Sequence, residues 1–83
     1  MRYRVVIKPK AEKELARVSK QNRGRMVKAL QGLASNPFAG KKLTGNYHGY
    51  YSIRVWPYRI IYHIYKKEFL VIVIRIGHRQ GVY

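Results

Sequence analysis

Three arginines in the C-terminal half, Arg54, Arg59 and Arg75, sit in runs of alternating apolar residues, and a basic tail, His78-Arg79-Gln80-Gly81-Val82-Tyr83, follows them. An arginine fork grips a phosphate through two parallel hydrogen bonds. Histidine and tyrosine can move protons, and tyrosine rings stack on unpaired bases. Together these residue types suit a reaction that needs neither metal nor carboxylate. In RNA the ribose 2′-hydroxyl attacks the adjacent phosphate in line and expels the 5′-oxygen. The protein must orient the strand, stabilise charge growing on the phosphoryl oxygens and manage two protons. Tyrosine would need its pKa lowered for that work, which clustered positive charge does.

The rest of the composition removes competing chemistries. The chain has 83 residues, 18 Lys and Arg against three acids (Glu12, Glu14 and Glu68), no Asp, no Cys and a net charge of +15. So few carboxylates argue against paired acid/base catalysis and against Mg²⁺ or Mn²⁺ sites. His48, His63 and His78 match no zinc spacing, and Ser19, Ser35 and Ser52 have no acid-backed histidine. Neither a metal nor a cofactor is expected. The apolar runs are strand-sized, with no signal peptide or membrane span, and the lack of cysteine is compatible with a cytoplasmic protein. Such a charge draws the chain to polyanions, nucleic acid first. An acidic protein, an anionic membrane surface or a purely structural RNA-binding role would be served by the same charge.

The elements that must carry these residues follow from periodicity. Tyr50–Val55, Tyr58–Tyr65 and Phe69–Gly77 alternate as strands. Tyr51, Ile53, Val55, Ile60, Tyr62, Ile64, Leu70, Ile72, Ile74 and Ile76 are expected on the core face, with the arginines on the other. A turn centred on Trp56-Pro57 pairs Arg54 with Arg59, and a three-residue turn at Lys66-Lys67-Glu68 pairs Arg59 with Arg75. That makes a row of three like charges, unfavourable unless something strongly anionic lies on it. Upstream, Arg2–Ile7 reads as a strand and Pro9–Ser19 as an amphipathic helix with Ala11, Leu15 and Val18 in one stripe. Asn22 is placed to cap a second helix, ended by Asn36-Pro37, whose early Arg23 and Arg25 oppose its dipole and hint at an external anion. Residues 38–49 read as loop; Gly40-Lys41-Lys42 lacks the Walker spacing. The expectation is a single α+β domain over residues 1–83: an antiparallel-dominated four-stranded sheet under an N-terminal helical hairpin, in the order β-α-α-β-β-β.

Leu43-Thr44-Gly45, Gly49-Tyr50-Tyr51-Ser52-Ile53-Arg54-Val55, Tyr58-Arg59-Ile60-Ile61-Tyr62 and Val73-Ile74-Arg75-Ile76-Gly77-His78-Arg79, ending in Val82-Tyr83, resemble the RelE-like toxins of the RelE/ParE superfamily. The resemblance runs over nearly the whole chain and implies the toxin of a toxin–antitoxin pair. Such a toxin enters the A site of the small ribosomal subunit and cleaves the mRNA there. On that resemblance Arg59 contacts the scissile phosphate, Arg79 stands with it, Tyr83 stacks on or activates the substrate, and His78 serves in proton transfer. Arg54, Arg75, Lys41, Lys42 and Ser52 join them as RNA-binding candidates, Arg54 and Ser52 standing where some members carry lysine. The implied partners are a cognate antitoxin, the ribosome and mRNA, with no membrane. The superfamily's ParE branch implies the alternative of a DNA gyrase poison, and a non-catalytic RNA-binding module is a third possibility.

Overall fold

A computed structural model describes residues 2–78. Strand β1 (Arg4–Ile7) leads into helices α1 (Pro9–Ala16) and α2 (Lys20–Ser35), then β2 (Lys41–Lys42), β3 (Tyr51–Val55), β4 (Tyr58–Tyr65) and β5 (Leu70–His78). The strands form one five-stranded sheet in the order β1-β5-β4-β3-β2. Only β1 and β5 are parallel. The α+β class and the helical hairpin are as expected. The fifth strand is new: Lys41 and Lys42, read as loop, pair with Ser52 and Tyr51 along the β3 edge.

Both helices cover one face of the sheet. Ala11, Val18, Met26, Leu30 and Leu33 bury their side chains against Val55, Ile60, Tyr62, Val71, Val73 and Ile76. The hairpin differs from the sequence reading at its centre. Helix α1 stops at Ala16 because the Arg17 and Val18 amides close on Glu14 and Leu15, tightening the last turn. Helix α2 then starts at Lys20, so Asn22 lies inside its first turn, where Nδ2 donates to the Ser19 hydroxyl at 2.9 Å. The arginines thought to await an anion are occupied. Arg23 donates to the Ala16 and Val18 carbonyls at 3.1 and 3.2 Å, and Arg25 donates to the Trp56 carbonyl at 2.9 Å. One helix's surplus carbonyls thus absorb a charge that would otherwise oppose the next helix's dipole.

The hairpin of β3 and β4 has the expected register, with Trp56-Pro57 as the turn and Arg54 opposite Arg59. The β4–β5 pairing does not. Its turn has four residues, closed by the Phe69 amide on the Lys66 carbonyl, with Phe69 at φ +50. Tyr65 therefore faces Leu70, and Ile64 faces Val71. Val71 and Val73 fill the core, while Leu70, Ile72 and Ile74, assigned to it from the sequence, are only half-buried. A bulge then restores the parity: Tyr62 pairs with Val73 but Ile61 with Arg75, which leaves Ile74 as the extra residue. Beyond the bulge Ile60 faces Ile76 and Arg59 faces Gly77. The expected row of three arginines is a pair.

Candidate nucleic-acid interface

That pair lies at a cleft of about 330 Å³ lined by Ala39, Gly40, Lys41, Leu43, Ser52, Ile53, Arg54 and Arg59. Three short-range features build it. The two-residue turn sets Arg54 and Arg59 directly across two strands, which places their Cα atoms roughly 4.5–5.5 Å apart. Strand β2 brings Lys41 alongside Ser52 as a second wall. A 3₁₀ turn over Pro37–Ala39 carries the chain from α2 to that wall. Arg54 is exposed and Arg59 half-buried, so two cations with little room to separate share one mouth. A phosphate placed between them relieves their repulsion and accepts from both forks.

Gly40 is what lets the wall approach. Its amide bonds to the Tyr62 oxygen, and a Cβ there would collide with the Tyr62 hydroxyl and stand 2.8 Å from the Ser52 carbonyl oxygen. Gly40→Ala is therefore expected to push residues 37–42 off β3, costing about 1–3 kcal/mol, and to weaken RNA binding in step. Thermal melts and RNA titrations of the variant check this; a variant with wild-type values in both would show that the segment yields freely.

The other sequence candidates are dispersed, except that Ser52 stays with the cleft as a buried part of its lining. Lys42 faces Tyr51, on the opposite side of the edge strand from Lys41, and is absent from the lining. Arg75 is bonded to Glu14 of α1: Nε and Nη2 reach Oε2 at 3.1 and 3.0 Å. That carboxylate raises the arginine's pKa further above its usual range. His78 pairs with Tyr58, whose ring packs on the core, and the two rings meet edge-on at 6.0 Å. It lines a second cleft, of about 200 Å³, with Glu14, Arg17, Tyr58, Ile76 and Gly77. Arg59 and His78 thus occupy opposite faces of the sheet. Arg79 and Tyr83 lie outside the described residues.

Two features escaped the sequence reading. On the arginine face, further along the strands, the His63 ring meets Tyr50 at 5.2 Å and Tyr65 at 4.4 Å, both edge-on. Period-two alternation places His63 on that face and the β3–β4 register carries Tyr50 opposite it, but no motif marks either ring. The other is Glu14, which the sequence presents only as one of three acids. Its signal was scarcity: in a chain with three acids, one held among arginines has few alternatives.

A helical hairpin on one face of a five-stranded sheet, with paired arginines on the other, defines a RelE-like toxin fold. The chain belongs to the family described as the ParE toxin of the type II toxin–antitoxin system parDE, which it matches over residues 5–83. Among solved structures it is similar to the RelBE2 toxin–antitoxin complex from Mycobacterium tuberculosis, with a TM-score of 0.87 at 27% identity over 95% of this chain and 93% of that one. The archaeal RelE–RelB complex from Pyrococcus horikoshii superimposes with a TM-score of 0.82 at 26% identity, all of both chains being covered. The isolated E. coli RelE toxin gives 0.76 at 26% identity over 92% and 83%. No curated protein matches the chain.

Proposed function

We propose that this toxin is a metal-independent endoribonuclease that cleaves mRNA in the ribosomal A site and so stops translation. The observation that carries the reading is Arg54 opposite Arg59 beside Lys41, a cationic cleft of phosphate size on an open sheet face. In the reaction the 2′-oxygen forms a bond to phosphorus as the bond to the 5′-oxygen breaks, leaving a 2′,3′-cyclic phosphate. The 2′-hydroxyl gives up one proton, and the leaving oxygen takes one. Arg54 and Arg59 hold the two non-bridging oxygens, whose charge grows in the transition state. Arg79 adds to that field. Tyr83 stacks on the base or carries a proton. His78 sits across the sheet from the arginines, a place suited to holding the end of β5. The tyrosine–histidine row offers ring surfaces to neighbouring bases. An antitoxin with an acidic or amphipathic segment would cover the arginines and silence the site.

Primer extension on mRNA translated in a cell-free system with the protein added tests the reading. Breaks at codons occupying the A site, dependent on ribosomes, are the expected result. The family description favours one other reading, a poison of DNA gyrase. Gyrase-dependent DNA breaks with the mRNA intact would select it and overturn the ribonuclease.

A further inference from the structure

Strand β1 supports β5 only as far as Val73: the last rungs are Ile7 opposite Val73 and the Lys8 amide on the Val73 carbonyl, at 2.9 Å. From Ile74 onward no described strand flanks β5 on that side. An amide left there without an acceptor is costly when partly buried. Glu14 fills the gap, since its Oε1 accepts from the Ile76 amide at 2.8 Å while Oε2 takes the Arg75 fork. Both ends of the ion pair are largely covered, at 25% and 19% side-chain exposure. Helix α1 balances Lys10 and Lys13 with Glu12 and Glu14, and it is Glu14 whose charge ties the helix to the basic strand end.

The bulge makes this contact possible. Without Ile74 as an extra residue, the register set by the four-residue turn would put Arg75 opposite Ile60 on the core face; with it, Arg75 stands opposite Ile61 and its fork turns to α1. A guanidinium with Nε and Nη2 on a carboxylate has spent the edge that would clamp a phosphate. The same displacement puts Gly77, which has no side chain, opposite Arg59 and leaves that arginine's approach open.

We propose that Glu14 is a positioning residue, which caps the unsupported end of β5 and withholds Arg75 from nucleic acid, leaving Arg54 and Arg59 as the phosphate-binding arginines of β3–β5. The inference rests on the ribonuclease reading for its effect on rate, but its effect on binding does not depend on cleavage. The test therefore has two arms. In the first, a single-stranded RNA oligonucleotide with methylated 2′-hydroxyls is titrated at several salt concentrations. Each phosphate neutralised adds about 0.7 to the slope of log K against log salt. E14Q keeps an acceptor for the Ile76 amide but removes the charged partner of Arg75, leaving it beside the neutral Tyr47 hydroxyl, so its slope is expected to steepen by about 0.7. The slope of R75A should equal that of the wild type, and the E14Q/R75A double variant should return to it. In the second arm, E14Q should lower kcat for ribosomal cleavage about tenfold with KM unchanged or reduced, because binding gains a contact while the strand end keeps its amide bond but loses the ion pair that ties it to α1.

A wild-type slope for E14Q, or a loss of about 0.7 in R75A, overturns the proposal. If E14Q does not fold, R75A decides alone on the same criterion. A wild-type protein that cleaves nothing removes the ribonuclease reading and leaves the slope comparison standing.

Discussion

Arg59→Ala is expected to lower ribosome-dependent cleavage by about 10²–10³, the effect of removing one well-placed donor to a charge that develops in the transition state. Its fold should survive. Arg59 faces Arg54 on one side and Gly77 on the other, so the substitution deletes one member of a like-charge pair and leaves the core face of β4 (Ile60, Tyr62) untouched. A melting temperature close to wild type is the matching stability result. The loss should fall on kcat more than on KM, since the charge that Arg59 meets is larger in the transition state than in the bound strand. Arg59→Lys keeps the charge and loses the fork, and should lie between the two. Combining Arg59→Ala with Arg54→Ala should cost less than the sum of the single losses, because both forks act on one phosphate. An Arg59→Ala protein that folds and cleaves at the wild-type rate would remove the cleft from the mechanism.

Why Arg54 and Arg59 could be placed from sequence while Arg75 could not comes down to how each register is specified. Strands β3 and β4 alternate around a two-residue turn, and a slip there would bury Arg54 or Arg59. Leu70-Val71-Ile72-Val73-Ile74 is apolar at every position, so either parity satisfies the core and alternation says nothing. The choice fell to a turn one residue longer than expected and to a bulge, both decided by packing over distances no local pattern records. The helices show the same division. Their apolar stripes were visible, but the start of α2 depended on Arg23 reaching back to Ala16 and Val18. Strand β2 was missed for a related reason: two exposed lysines carry no β signature, and the pairing is imposed by β3. The cleft was therefore half legible: the sequence paired its arginines and named Lys41 as a candidate, but only the fold sets Lys41 against β3 as a second wall.

The lysine wall depends in turn on one buried hydroxyl, which leads to the second large effect. Tyr62 is fully buried, its ring stacked on Tyr51 at 5.8 Å, and its hydroxyl donates to the Pro37 carbonyl at 2.7 Å. Burial raises its pKa from 10.0 to about 12, against the smaller opposing pull of the Gly40 amide. The folded state thus favours the neutral phenol. Its contribution is complete below pH 10 and is lost as pH rises through about 12, with the unfolded chain binding fewer protons across that window. A shift of this size corresponds to a stability loss of about 2–3 kcal/mol between those limits. Tyr62→Phe should remove the alkaline loss and, at neutral pH, cost about 1–3 kcal/mol because the buried Pro37 carbonyl is left without its donor. Chemical denaturation of both proteins from pH 7 to 12 measures the two effects together. The wild-type and variant curves should converge toward pH 12; parallel curves would mean that the Tyr62 proton is not what the fold retains. Since Pro37 opens the turn that brings Gly40 and Lys41 to β3, the same substitution should loosen the cleft and lower RNA affinity at neutral pH.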